Sequence, residues 1–220
     1  MKKLLAFLLI FVLCLTLFAG CTPHKNESIS QNSSNNSTVD SSINNSSFNQ
    51  TTEPTSIDEL PLPKESAFFS FLSGVGAWHT SMLLYKDGTF EGEYVDADMG
   101  AVTDEDPNGT AYICYFNGEF HNFKKINDYT YSFEIDYIQT MKAAGEEWIS
   151  NGTKYIASIP YGLEDGNEYI LYLPNTPVSH LSGEFLSWWP YYYSDNKPKT
   201  LSCYGILNVK TNYGFFYEET

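Results

Sequence analysis

The stretch Ser73–Asp98 restricts the fold most strongly, because it has the pattern of a β-hairpin with one apolar and one polar face. Side chains alternate between the two faces of a strand. One face of the first strand carries Trp78, Thr80, Met82 and Leu84. One face of the return strand carries Phe90, Gly92 and Tyr94, and the other carries Thr89, Glu91 and Glu93. We therefore predict an antiparallel hairpin with Asp87-Gly88 at its tip.

The same pattern of turn and strand recurs towards the C-terminus. Further Asx-Gly dipeptides, which tolerate the backbone angles of tight turns, occur at 108–109, 117–118, 151–152 and 165–166. Runs rich in Tyr, Phe, Ile and Val lie between them. These runs predict strands over 110–116, 119–125, 129–137, 154–159, 168–173, 201–209 and 213–218.

Helical patterns are scarce. The clearest is 182–189, where Ser182 suits the N-cap, Glu184 the first turn and Pro190 the position just beyond the end. Gln139–Ile149 is a second candidate for a helical turn. Many short strands with one or two short helices predict an all-β domain, either a closed antiparallel barrel or a β-sandwich. A barrel would leave no open sheet edge among so many aromatic strands.

The N-terminal residues have the pattern of a secretion signal. Lys2 and Lys3 precede an apolar run, Leu4–Phe18, and small residues follow it before Cys21. This run is shorter than the roughly 20 residues that a spanning helix needs. Residues 1–20 are therefore predicted to be a cleaved signal peptide.

The end of that signal, Leu17-Phe18-Ala19-Gly20-Cys21, resembles the lipobox of bacterial lipoproteins. Phe18 stands where that motif usually has Leu. The resemblance implies that Cys21 is lipidated, for example with palmitate, and becomes the mature N-terminus. We expect an extracytoplasmic protein anchored to the cell membrane of a Gram-positive bacterium, with the membrane as its partner through this lipid. An ordinary signal peptide with a coincidental cysteine is the alternative.

The mature chain divides into two parts. Residues 21–58 are dominated by Ser, Asn and Thr, so they bury too little apolar surface to fold and are predicted to be a disordered tether. The composition becomes apolar at about Leu60. Residues 59–220 are long enough for a single β-rich domain.

Charge and cysteine content exclude some classes of function. The formal net charge is −15 and the chain contains no arginine, so a basic surface for nucleic acid is not expected. Cys14 lies in the signal. The two remaining cysteines, Cys114 and Cys203, either pair in an oxidising compartment or remain buried free thiols.

The segments SGVGAW, DGTFEGEY, NDYTYSFE, PYGLEDG and EFLSWWP make residues 65–218 similar to an uncharacterised domain of lipoproteins from low-GC Gram-positive bacteria. No activity is known for that family, so this resemblance implies none. Gly76-Ala77-Trp78 also resembles the Gly-x-Trp signature of lipocalins, although the lipocalin arginine is missing. This second resemblance implies a lipocalin-like barrel.

An acidic loop offers a candidate cation site. Asp104, Asp106 and Asn108 have the spacing of the first half of an EF-hand loop, and Asp96 and Asp98 lie nearby. The EF-hand position for a bidentate Glu is occupied by Tyr115. We weigh a calcium site of another type against a solvated loop that ends in a turn.

Aromatic residues offer a second candidate site. The cluster consists of Trp188, Trp189, Tyr191, Tyr192 and Tyr193, with Trp78 as a further member. Exposed rings bind sugars or apolar ligands, whereas buried rings form core. No His-Glu-x-x-His or Gly-x-Ser-x-Gly motif occurs.

The sequence therefore favours a non-catalytic domain that binds a small apolar ligand, a carbohydrate or an envelope protein. A structural or interaction module stabilised by calcium is the second interpretation, and a hydrolase of unknown type is the third.

Overall fold

The computed structural model describes residues 53–73, 77–100 and 102–217. These residues belong to one compact unit, Asn49–Thr220. The signal peptide, Cys21 and most of the predicted tether lie outside the described residues, so the predictions made for them remain predictions. Within the described part of the chain, no helix is long and apolar enough to cross a membrane.

The domain consists almost entirely of β-strands. The strands are β1 Thr55–Ser56, β2 Ser66–Leu72, β3 His79–Tyr85, β4 Thr89–Asp98, β5 Thr110–Asn127, β6 Thr130–Thr140, β7 Glu147–Ser150, β8 Thr153–Ala157, β9 Glu168–Tyr172, β10 Gly205–Asn208 and β11 Gly214–Tyr217. One α-helix, α1, spans Gly183–Leu186, and a 3₁₀ turn spans Val178–His180.

Eight of these strands close into an antiparallel barrel. The order β4-β3-β2-β11-β10-β9-β6-β5 returns to β4, which also pairs with β5. Each strand pairs with the barrel strand that precedes it in the chain, and the last strand, β11, pairs with the first, β2. The β7–β8 hairpin lies between β6 and β9 in the chain and joins β5 through a parallel pairing of β8. The fold is therefore the predicted lipocalin-like β-barrel, and not the alternative sandwich.

The predicted first hairpin is confirmed as β3 and β4. Its register pairs Thr80 with Tyr94 and Leu84 with Phe90. Met82 and Leu84 are fully buried, whereas Glu91 is exposed. Apolar alternation in the sequence thus identified the face that lines the barrel interior.

A predicted turn at Asn117-Gly118 is wrong. Both residues lie within the long strand β5, where Gly118 pairs with Phe90 of β4. The ring of Phe90 covers Gly118 so closely that a Cβ there would overlap the ring and the carbonyl oxygen of Tyr137. Glycine fits this position because an aromatic ring packs against it, and not because the chain turns there.

The helix predictions are only partly correct. Ser182 caps α1 as expected, because its side chain accepts a hydrogen bond of 3.1 Å from the N–H of Phe185. The helix ends at Leu186, earlier than predicted. The region Gln139–Ile149 contains no helix; it holds the end of β6 and the start of β7.

Aromatic rings pack against one another in the barrel interior. Phe120 of β5 lies 4.5 Å from Phe90, 4.8 Å from Phe133 and 5.0 Å from Tyr169, measured between ring centroids. All four residues are at most 2% exposed. Burial of such a side chain contributes about 1.5–3 kcal/mol. These rings occupy the space in which many barrels hold a ligand.

Two chain segments cover the ends of the barrel. Leu60 and Leu62 precede β2 and are buried in the main core, and Leu60 donates a backbone hydrogen bond of 2.9 Å to Lys86 at the β3–β4 turn. At the opposite end, Leu163 is 1% exposed, and its carbonyl oxygen accepts a bond of 2.8 Å from the hydroxyl of Tyr169.

We expect Gly92→Ala to destabilise the domain by about 1–3 kcal/mol, because the new methyl group would overpack the core. A Cβ at Gly92 would overlap the carbonyl oxygen of Ser81 and the ring of Phe116. Urea denaturation measures the effect. The control is Gly183→Ala, where a Cβ would have no neighbour within 4 Å, and it should change stability by less than about 0.5 kcal/mol. Equal stability of the two variants would contradict the ring packing over Gly92.

Candidate binding groove

Helix α1 packs on the outer wall of the barrel. Phe185 of α1 is fully buried in a second core cluster with Trp189, Leu201, Leu207 and Phe216. Leu207 and Phe216 alternate with Ile206 and Phe215, which belong to the interior cluster. Strands β10 and β11 are therefore apolar on both faces, since one face lines the interior and the other supports α1.

A groove of about 470 Å³ lies between this outer wall and the chain that follows α1. Five aromatic residues line it: Trp188, Trp189, Tyr193, Phe216 and Tyr217. The other lining residues are Ser70, Leu72, Ser187 and Pro190. Ser70 and Leu72 alternate with the inward-facing Phe69 and Phe71 of β2, so the groove lies outside the barrel.

The structure brings the predicted aromatic residues into one region. Trp188, Trp189 and Tyr193 line the groove. Tyr191 packs against Trp189 with ring centroids 5.4 Å apart, and Tyr192 packs against Tyr193 at 4.9 Å. Tyr193 is 87% exposed, whereas Trp189 is 3% exposed. Trp189 is therefore a core residue, whereas the side chain of Tyr193 is almost fully exposed to solvent.

Trp78 lies beside the groove rather than in its lining. Its ring centroid is 6.2 Å from that of Trp188 and 4.9 Å from that of Phe71. Tyr161 contacts Trp78 at 5.0 Å and Tyr213 at 5.5 Å, and the two tyrosine hydroxyls are 3.3 Å apart. Trp188 thus joins the groove to an aromatic cluster at the end of the barrel.

Sequence reasoning missed the part of the site that the barrel itself provides. Leu72, Phe216 and Tyr217 line the groove. The available signal was in β11, where Phe215 and Phe216 are adjacent and must face opposite sides of a strand. Leu72 ends β2 and is 45% exposed. Its place beside the tryptophans results from the β2–β11 pairing, which local sequence does not specify.

Cys114 and Cys203, the cysteines of the described residues, are not bonded to each other in this structure and lie in different parts of the core. Cys114 is buried in the interior cluster, and burial raises its thiol pKa to about 11. Cys203 packs against the second cluster, and burial raises its pKa as well. The nearby indole N–H of Trp189 lowers the pKa of Cys203 in part. This N–H does not meet the geometry of a hydrogen bond to the thiol, and it has no hydrogen-bond partner among the described residues. The disulfide alternative remains a prediction.

Four of the five predicted calcium ligands are engaged in local contacts. Asp96 and Asp98 accept hydrogen bonds from the N–H groups of Ala97 and Gly100, at 2.8 and 2.9 Å. Asp106 is 4% exposed and accepts a bond from the hydroxyl of Thr103. Asn108 donates to the carbonyl oxygen of Asn151, and Asp104 is exposed. Within 53–73, 77–100 and 102–217, no three His, Cys, Asp or Glu residues are arranged to hold a metal ion. The calcium site therefore remains a prediction.

A half-buried carboxylate, Glu164, lies near the tyrosines at the barrel end. Burial raises its pKa, and hydrogen bonds from the backbone N–H groups of Glu164 and Gly162 offset this effect in part. Burial and the neighbouring Asp96 raise the pKa of Tyr94 to about 12, and the charge of Glu164 makes a smaller contribution in the same direction. Glu164 forms none of the ion pairs found among the described residues.

We expect Glu164→Gln to stabilise the domain at neutral pH but not in acid. A carboxyl whose pKa is raised on folding binds its proton more tightly in the folded state, so the free energy of unfolding falls as pH rises through the folded-state pKa. Glutamine does not ionise and avoids this loss. Urea denaturation at about pH 7.5 and about pH 4 measures the difference.

The control is Glu91→Gln, which removes one charge from an exposed strand position. It separates the local effect from the general relief of negative charge. A gain for Glu164→Gln that equals the control, or that is independent of pH, would contradict the proposed cost of burying Glu164.

Comparison with family models, with curated proteins and with solved structures gave no match. The barrel topology is established by the pairing of this chain's own strands, and the lipobox and domain resemblances remain predictions.

Proposed function

We propose that the chain is an extracytoplasmic lipoprotein, anchored to the cell membrane through lipidated Cys21, with a barrel that acts as a non-catalytic binding domain. Its ligand is a small apolar molecule, a carbohydrate or an envelope protein. The observation that carries the proposal is the groove of about 470 Å³ on the outer wall, which three of the predicted aromatic residues line. This volume is typical of small-ligand sites, which span about 300–1,000 Å³.

The arrangement of aromatic residues favours a site on the outside of the barrel. A ligand in the interior would have to displace rings that are packed at centroid distances of 4.5–5.0 Å. Loss of such packing costs several kcal/mol per ring, about 3–5 for Phe to Ala. The groove needs no such rearrangement, because Tyr193 and Leu72 are already exposed there.

A non-catalytic role is consistent with the placement of the three histidines in the described part of the chain. His79 begins β3, His121 lies in β5 and His180 lies in the 3₁₀ turn. His121 approaches Glu134 at 3.9 Å, and both side chains are substantially exposed. A solvated pair of this kind resembles an ordinary surface contact rather than an activated acid–base pair.

We expect Cys21→Ser to abolish lipidation. Cells grown with an alkyne-labelled palmitate should incorporate the label into the wild-type protein, since the cysteine thiol and the new N-terminus are the sites of acylation. Mass spectrometry of the mature chain should find Cys21 at its N-terminus. The control Cys14→Ser changes the other cysteine of the N-terminal region and should retain the label. Labelled Cys21→Ser protein, or a mature chain that begins elsewhere, would contradict the anchor.

The chain from residue 22 onwards retains every described residue and should bind a component of the cell envelope. Cosedimentation with insoluble peptidoglycan, with wall polysaccharide and with membrane vesicles measures this binding. An unrelated protein of similar negative charge serves as the control. Retention by at least one fraction supports a binding domain. Retention by none contradicts it and favours the structural module, whose calcium dependence is then tested by thermal denaturation with and without EDTA.

A further inference from the structure

The groove differs from the rest of the domain in its charge. The chain has 27 acidic and 12 basic residues, yet none of the nine residues that line the groove is Asp, Glu, Lys or His. A site that selects an ion places an opposite charge or a set of oriented dipoles beside it. The absence of ionised side chains from this lining indicates a ligand without net charge.

The polar groups of the groove are hydroxyls. Ser70, Ser187, Tyr193 and Tyr217 contribute them. Ser187 donates a bond of 2.6 Å to the carbonyl oxygen of Glu184, which leaves its oxygen lone pairs as acceptors. Tyr193 is 87% exposed, so its hydroxyl is accessible to a ligand. Hydroxyl groups both donate and accept, and they therefore complement a ligand that is itself rich in hydroxyls.

The apolar part of the lining consists mainly of aromatic side chains. The face of an aromatic ring carries partial negative charge and attracts the partly positive hydrogens of C–H groups. A pyranose ring presents such C–H groups on its faces and hydroxyls around its edge. A wholly aliphatic ligand would pack on the aromatic rings but would leave the hydroxyl of Tyr193 and the acceptor lone pairs of Ser187 unused.

We propose that this groove binds an uncharged oligosaccharide, with the rings of Trp188 and Tyr193 as platforms for sugar faces and the hydroxyls of Ser187 and Tyr193 as hydrogen-bond partners. The proposal rests on the function proposed above, since it assigns a site and a ligand class to the binding domain.

Calorimetric titration of the chain from residue 22 onwards tests the proposal with named probes. The neutral probes are the tetramers of N-acetylglucosamine, of β-linked glucose and of α-linked glucose, and the charged probe is a tetrasaccharide with alternating glucuronic acid. At least one neutral probe should bind, and the charged probe should bind more weakly. The affinity for the neutral probe should be unchanged between about 0.05 and about 0.5 M salt, because no charge pair contributes to it.

The test variant is Tyr193→Ala, which removes an exposed ring from the groove. It should weaken binding about tenfold or more, as expected for an aromatic anchor, while the melting temperature stays the same. The matched control is Tyr137→Ala, which removes a 46% exposed tyrosine from β6. It should leave the affinity unchanged.

Two results would overturn the proposal. If no neutral probe binds while an envelope fraction still retains the chain, the binding domain stands but the assignment of this ligand class fails. If a neutral probe binds equally to wild type and Tyr193→Ala, the ligand class stands but the groove is not its site. Failure of every envelope fraction and every probe would overturn the proposed function itself.

Discussion

Closure of the barrel depends on the seam between its first and last strands. Two register pairs join β2 to β11 within the described residues, Ser70 with Phe216 and Phe69 with Tyr217. So few backbone hydrogen bonds would form a weak seam by themselves. Ring packing supports it from the inside, because Phe71 of β2 lies 5.3 Å from Phe215 of β11 and both are at most 1% exposed. This pairing is the one that joins the two ends of the strand sequence into a closed barrel.

The same two strands also build the outer site. Alternation directs Phe71 and Phe215 inward, and it directs Leu72 and Phe216 to the other face, where the groove lies. The groove therefore exists only when the barrel is closed. Trp188 strengthens this connection, since it lines the groove and packs on Phe71 with ring centroids 4.7 Å apart. Core stability and any ligand affinity of the groove are expected to be coupled.

Local alternation predicted much of the fold, because the residues along a strand show directly which of its two faces is apolar and which is polar. The pattern of β3 and β4 identified their interior face correctly. Gly118 shows the limit of this reasoning: next to Asn117 it has the pattern of a turn, and only the distant ring of Phe90 explains its place within a strand. The candidate site was likewise predicted only in part. Trp188 and Tyr193 were found, but the difference between buried Trp189 and exposed Tyr193 arises from packing on α1 and β11.

The segment before β2 is attached to the barrel at several points. Ser56 of β1 pairs with Lys124 of β5, Ile57 donates a backbone hydrogen bond of 3.1 Å to Phe123, and Leu60 is 1% exposed in the core. Tension applied from the N-terminal side reaches these contacts before it reaches β2. The hydrogen bonds to β5 and the burial of Leu60 would therefore oppose such tension before the β2–β11 seam did. In the proposed anchored protein, tension along the predicted tether would thus be resisted by contacts outside the barrel closure before it reached the closure itself.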